Sequence, residues 1–221
     1  MRISPHLVSD VMTHTVVAVG RDAPFKDIVT LMQEWKVSAL PVLEGEGRVI
    51  GVVSEADLLL KEEFRDSDPD RLTQMNRLSD LSKAGGMTAA DLMSTPAVTV
   101  HPDATLAQAA RVMAQRKVKR LPVVNDQGLL EGVVSRADLL KVFLRTDDEI
   151  AEEIRREILV PLFPTPGEPV RVHVTDGVVT LTGPVGNTSL VPILARLVRS
   201  VEGVVDVDLA LSGGVRVREP G

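Results

Sequence analysis

The chain has no cysteine and no tyrosine, and aromatics make up only 2% of its 221 residues. The missing thiols exclude disulfides, thiolate metal sites and a cysteine nucleophile. With so few aromatic rings there is no stacking platform for single-stranded nucleic acid. Lys and Arg number 25 against 31 Asp and Glu, a net charge of −6. That balance disfavours binding driven by phosphate neutralisation, so no nucleic-acid partner is expected. No apolar run approaches the ~20 residues a membrane span needs. The opening Met1-Arg2-Ile3-Ser4-Pro5-His6 lacks the apolar core of a signal peptide. A cytoplasmic location is expected. Four histidines, His6, His14, His101 and His173, are scattered, and none pairs with another at metal-ligand spacing. Neither a Gly-x-Ser-x-Gly elbow nor a Walker-type phosphate loop occurs. No nucleophile has an identifiable base, so no enzymatic activity and no metal are expected.

What the chain does have is an internal repeat. Leu40-Pro41-Val42 recurs as Leu121-Pro122-Val123. Gly51-Val52-Val53-Ser54-Glu55-Ala56-Asp57-Leu58-Leu59 recurs as Gly132-Val133-Val134-Ser135-Arg136-Ala137-Asp138-Leu139-Leu140. Both pairs are displaced by 81 residues, as are Met12 and Met93, Asp22-Ala23 and Asp103-Ala104, and Lys36-Val37 and Lys117-Val118. The two copies align without a gap.

Each copy reads β-α-β-β-α. Val16 to Val19, and Val98-Thr99-Val100, are short apolar strands. Asp22 and Asp103 stand where helix N-caps are expected, and Pro24 falls in a first turn. Phe25, Ile28, Val29, Met32 and Trp35 recur at helical spacing, as do Leu106, Ala109, Ala110 and Met113. Leu40 to Leu43 and Leu121 to Val124 are strands. Polar turns follow at Glu44-Gly45-Glu46-Gly47 and Asn125-Asp126-Gln127-Gly128. The next strands, Val49 to Val53 and Leu129 to Val134, run into helices starting at Ser54 and Ser135. A copy of about 50 residues is near the lower limit for a stable core. The two are therefore expected to pack as a pseudo-two-fold pair with two related clefts at the junction. Between them, Asp66-Ser67-Asp68-Pro69-Asp70 reads as loop, and Leu72, Met75, Leu78 and Leu81 as a short amphipathic helix. Gly85-Gly86 closes it, and Thr88-Ala89-Ala90-Asp91 reads as a capped helix start.

A strand–helix–Leu-Pro-Val–turn–Gly-Val-Val-Ser-x-x-Asp unit repeated in tandem resembles the cystathionine-β-synthase-type (CBS) domain pair, or Bateman module, over residues 7–145. The resemblance implies clefts that take AMP, ADP, ATP or S-adenosylmethionine. The Ser-x-x-Asp motif would serve ribose and phosphate, which nominates Ser54 and Asp57 for one cleft and Ser135 and Asp138 for the other. A carboxylate accepts from ribose hydroxyls, and a serine hydroxyl donates to phosphate oxygen. The same four residues also read as two helix capping boxes, which need no ligand. Just ahead of the second Leu-Pro-Val, Lys119 and Arg120 replace the first copy's Ser38 and Ala39. In the family a basic residue here often faces phosphate, and the planar guanidinium suits that role. The alternative is a solvated basic helix end. Unequal clefts follow, with the second copy's preferring a charged nucleotide. Val17, Ser38 and Ala39, and in the other copy Val98 and Lys119, occupy the family's adenine positions. Val17 and Val98 read equally as core.

The last third has another pattern. Asp147-Asp148-Glu149 opens a helix, with Ile150, Ile154 and Ile158 four apart, and Pro161, Pro164 and Pro166 end it. Val170, Val172 and Val174 alternate as a strand, and Asp176-Gly177 is a hairpin turn. Val179 and Leu181 continue on the return strand until Gly183-Pro184 breaks it. Leu190, Ile193, Leu194, Leu197 and Val201 share one helix face, Gly203 ends that helix, and Val204 to Leu209 is a last strand. This α-β-β-α-β order, with Asp-Gly-Val-Val-Thr-Leu-Thr-Gly and Val-Glu-Gly-Val-Val-Asp-Val, resembles the BON domain. The resemblance implies contact with a phospholipid surface or a protein partner. From Glu149 onward, 7 Arg and no Lys face 10 acidic residues, so no polybasic patch draws anionic lipid.

The expected organisation is an α/β (α+β) chain. CBS repeats span 7–62 and 88–145 with a linker at 63–87, a BON domain spans 148–212, and a flexible tail follows at 213–221. The expected function is adenine-nucleotide sensing by a homodimer, coupled to the BON domain or a partner. The alternative is a ligand-free adaptor whose BON domain carries the interaction.

Overall fold

The computed structural model describes residues 6–65, 77–163 and 170–213. The expected loop at 66–70, residues Leu72 and Met75 of the linker helix, Pro164, Pro166 and the tail from 214 onward lie outside them. The described residues form two compact units, one from Leu7 to Asp138 and one from Leu139 onward together with His6.

In the first unit, α1 (Val8–Val11) precedes a short strand β1 (Val19–Gly20). Helix α2 (Phe25–Trp35) leads to the antiparallel pair β2 (Ala39–Glu44) and β3 (Arg48–Ser54), then α3 (Glu55–Glu63). Helix α4 (Leu78–Ala84) precedes the second copy. That copy runs α5 (Ala89–Leu92), α6 (Leu106–Arg116), β4 (Arg120–Val124), β5 (Leu130–Ser135) and α7 (Arg136–Leu139). β1 adds parallel to β2, and Val100 makes the equivalent single bridge to Val123.

The first strand of each copy is shorter than Val16–Val19 and Val98–Val100 suggest. Thr13 exchanges two backbone hydrogen bonds with Val133, at 2.9 and 3.0 Å, while Val19 pairs with Val42. The intervening residues cross from one copy's sheet to the other and ladder with neither. The N-caps also differ. Pro24 and Thr105 take the position, not Asp22 and Asp103. The Thr105 hydroxyl accepts from Gln108 N at 3.2 Å, and Gln108 Oε1 accepts from Thr105 N at 2.8 Å, so a side chain three residues on completes the box. Trp35 is 53% exposed and Ala110 is exposed; Ile28 and Met32, with Leu106, Ala109 and Met113, form the buried faces. Both helices end on a left-handed lysine, Lys36 and Lys117, where glycine is the usual residue.

The 81-residue displacement recurs in space. Val8 N donates to Ala104 O as Ala89 N donates to Ala23 O, at 2.8 and 2.9 Å. Thr13 bridges Val133 as Ser94 bridges Val52. Gly132 lies under Met12 as Gly51 lies under Met93. The two hairpins meet where Arg48 bridges Leu129, a pair the displacement maps onto itself. Sequence copy and spatial lobe therefore differ: each copy's leading arm is lent to the other. Ala89 and Leu92 belong to the first copy's core, with Ile28, Leu40, Val42 and Val53. Glycine at 132 is a steric requirement, because a Cβ there would stand 2.8 Å from Met12 Sδ and 3.0 Å from Thr13 O.

In the second unit, α8 (Asp147–Glu153) continues through a π-helical segment, Ile154–Leu159, into α9 (Val160–Leu162). Bonding from i to i+5 widens the turn, so residues four apart stay on one face. Ile150, Ile154 and Ile158 are accordingly all buried in one core with Leu181, Leu194 and Val198. Pro161 lies inside the helix rather than ending it, because Phe163 N still reaches Leu159 O at 2.9 Å. β6 (Arg171–Thr175) and β7 (Val178–Val185) form the hairpin, and β8 (Asp206–Gly213) pairs parallel with β7. Gly183-Pro184 does not break β7. β6 pairs only as far as Thr182, so no N–H is required of Pro184 on that side. Between β7 and β8, α10 (Val191–Arg199) ends before Gly203, which forms a later turn with φ 93°. Its buried face is Leu194, Ala195 and Val198, with Ile193 half exposed.

Candidate ligand-binding clefts

Exchange of the arms decides how the clefts are made. β3 delivers Ser54 at its end, and α3 begins there, so Asp57 faces back toward Ser54. Asp57 Oδ2 accepts from Ser54 N at 2.9 Å and from Ser54 Oγ at 2.6 Å. The second copy repeats this: Asp138 Oδ2 accepts from Ser135 N and Oγ at 2.9 and 2.6 Å. There the Ser135 hydroxyl also accepts from Asp138 N at 3.3 Å, closing a reciprocal box. Both Ser-x-x-Asp motifs are thus helix caps in this structure.

Two pseudo-symmetric clefts of about 250 and 330 Å³ lie beside these caps, at the small end for ligand sites. The Ser54 cleft is lined by Ser38, Ala39, Ser54 and Asp57 of the first copy and by Val98, Lys119 and Arg120 of the second. The Ser135 cleft is lined by Ser135, Asp138 and Arg120 of the second and by Val17 and Ala39 of the first. The clefts lie at the junction of the copies as expected, but Val98 lines the cleft of Ser54 and Asp57, and Val17 that of Ser135 and Asp138, so each cleft is shared between copies. The arm that carries Val98 is pinned to the first copy through Ser94 and Val52, and the arm that carries Val17 is pinned to the second through Thr13 and Val133.

The clefts are electrostatically unequal. In the Ser54 cleft, the Lys83 ammonium of α4 donates to Asp57 Oδ1 at 2.5 Å and to Ser94 Oγ at 2.9 Å. Both members of this ion pair are largely shielded, with side chains 18% and 12% exposed. The carboxylate thus meets Ser54 through one oxygen and Lys83 through the other.

Arg120 opens β4 opposite Ser135 and is half-buried. Its Nη2 donates to Ser38 Oγ at 2.9 Å, and its Nε is buried with no partner among the described residues. Burial pulls the guanidinium below its ordinary pKa, opposed by the nearby Asp138 and Glu55 carboxylates. Arginine still carries its charge under such a shift. A buried donor with no acceptor costs about 1–3 kcal/mol.

Lys83, Ser94, Glu55 and Lys117 had not been singled out by motif. Ser94 follows from applying the displacement to Thr13. Lys83 carries no signal, because the segment around it has no counterpart in the repeat. Among the described residues no group of three or more His, Asp or Glu is placed to hold a metal ion, and no helix is long and apolar enough to cross a membrane.

The CBS-domain family model matches residues 8–62 and 89–145, and the BON-domain model matches residues 146–212. The CBS domain-containing protein CBSX2, chloroplastic, of Arabidopsis thaliana is 32% identical over 158 residues, 65% of this chain and 66% of that protein. The CBS domain-containing protein YhcV of Bacillus subtilis is 30% identical over 132 residues, 60% of this chain and 81% of that one. A crystal structure of CBSX2 in complex with AMP is similar with a TM-score of 0.56 and 31% identity, covering 63% of this chain and 97% of that one.

Proposed function

The chain belongs to the CBS-domain family, with a BON domain following its CBS pair, and on that premise we propose that it is a regulatory module taking an adenosyl ligand in the clefts of the pair. In this reading the module is regulatory rather than catalytic. The ligand class is AMP, ADP, ATP or S-adenosylmethionine. One observation carries this reading: a half-buried guanidinium with an unpaired Nε lines clefts that each present a Ser-x-x-Asp cap. Phosphate oxygen is the acceptor that such a donor lacks. The similar protein CBSX2 was crystallised with AMP, which supports the adenosyl class.

In this reading Asp57 and Asp138 take ribose hydroxyls, with Ser54 and Ser135 beside them. Arg120 and Lys119 face phosphate, and because the arms are exchanged the adenine lies by Ser38, Ala39 and Val98 in the Ser54 cleft or by Val17 and Ala39 in the Ser135 cleft. The CBS repeats run 7–62 and 88–145, and 148–212 is the BON domain. Occupancy biases how the BON domain or a protein partner is presented, which requires different affinities in two states. A homodimer in the cytoplasm is the assembly proposed.

A second reading, a ligand-free adaptor acting through its BON domain on a protein or a membrane surface, is favoured by one observation. The Asp57 carboxylate is already engaged by Ser54 and Lys83. Titration calorimetry of the full chain with the four ligands separates the readings. Micromolar binding that weakens in Asp138→Ala, with selective loss of phosphorylated ligands in Arg120→Ala, is expected. Flat titrations on folded protein would select the adaptor.

A further inference from the structure

The pseudo-two-fold relation fails at one position that both clefts share. Ala39 and Arg120 are related by the displacement, and each opens the strand leading into its hairpin. Each lines both clefts. A symmetric pair would bring two equivalent side chains to this junction. Here one is a methyl group and the other is a guanidinium.

The single guanidinium lines both sides of the junction. Its Nη2 is tied to Ser38 Oγ, on the Ser54 side. Its charge feels Asp138 on the other side and Glu55 on the first. Its Nε is buried and unpaired. One planar fork offers its pair of parallel donors to one anion at a time. Lysines elsewhere do not compensate equally, because Lys117 and Lys119 line the Ser54 cleft and neither lines the other.

Resting on the adenosyl reading above, we propose that the two clefts share Arg120 as a common phosphate ligand and therefore bind phosphorylated ligands with negative coupling. A nucleotide in one cleft engages the guanidinium and withdraws it from the other. Coupling of this kind is reciprocal, so either cleft filled first weakens its neighbour. A charge-assisted bond to phosphate is worth roughly ten- to a hundredfold in affinity, which sets the size of the penalty. A ligand without phosphate makes no use of Arg120 and feels no penalty.

The test is calorimetric titration of the full chain with AMP, and with adenosine as the phosphate-free control. Wild type should separate two AMP events at least about tenfold more widely than it separates two adenosine events, or bind one AMP per chain. Ala39→Arg supplies the missing second guanidinium and should bring the separation of the two AMP events to within about threefold of the separation seen with adenosine. Arg120→Ala should also close the gap, by weakening the tighter event. Two equal, independent AMP events in wild type overturn the proposal. So does an AMP gap that still exceeds the adenosine gap in Arg120→Ala, or a single event that stays single in both variants. A flat AMP titration in wild type is a different result, since it removes the adenosyl reading itself.

Discussion

Lys83→Met removes an ammonium and keeps most of its apolar stem. In the structure that ammonium donates to Asp57 Oδ1 and Ser94 Oγ, and the two charged side chains are 18% and 12% exposed. Breaking one side of a buried ion pair costs about 3–5 kcal/mol, whereas an exposed pair is worth about 0–1 kcal/mol. This pair is mostly shielded, but Ser54 N and Oγ still serve the carboxylate after the change. A cost of about 2 kcal/mol follows, or a melting temperature lower by roughly 4–8 °C for a chain of this length. Affinity should move the other way. A ribose approaching Asp57 in the wild type must displace Lys83, and if the open form is populated at about a tenth, its removal strengthens adenosine binding up to about tenfold. Thermal and urea unfolding supply the first number and calorimetry with adenosine the second. A double-mutant cycle with Asp57→Asn isolates the pair. A stability change below about 0.5 kcal/mol would mean the pair is a screened surface contact. Stability and adenosine affinity falling together would make Lys83 a ligand contact and refute its blocking role.

Two further outcomes follow from the packing and the caps. Gly132→Ala sets a Cβ against Met12 and against the Thr13 carbonyl, which accepts from Val133 N while Thr13 N donates to Val133 O. Overpacking of this kind costs about 1–3 kcal/mol. Gly51→Ala meets only the flexible Met93 side chain and should cost less; urea unfolding that ranks them the other way contradicts the pinned-arm geometry. At the second copy's first cap, the Thr88 and Met87 N–H groups and the Thr88 hydroxyl hold the Asp91 carboxyl below its ordinary pKa. A depressed folded-state value stabilises above the unfolded carboxylate range, and that stability is lost as pH falls through the folded value. The stability gap between wild type and Asp91→Asn should therefore narrow on acidification from neutral pH. A gap independent of pH would show that Asp91 acts without its charge.

Much of the architecture was legible because it is local. The strand pair around Leu-Pro-Val, the caps at Ser54 and Ser135, and the stripe of Ile150, Ile154 and Ile158 each follow from spacing within a few residues. Misreadings came where two local signals competed. Asp22 resembles an N-cap, yet Pro24 takes the position. Gly183-Pro184 resembles a strand end, yet the chain continues because its unpaired side requires no donor.

The residues alone determined that the first two thirds of the chain repeat at a displacement of 81, and so that the two copies are expected to pack as a symmetric pair with related clefts. Periodicity and caps are short-range properties, and the repeat registers them twice. Only the tertiary structure decided that the arms are exchanged, that Lys83 reaches Asp57 from 26 residues away, and that Arg120 reaches Ser38 across 82. Contacts at such separations depend on which surfaces bury together, and the same local pattern is compatible with exchanged or unexchanged arms. The clefts owe their residue types to the sequence and their asymmetry to that packing.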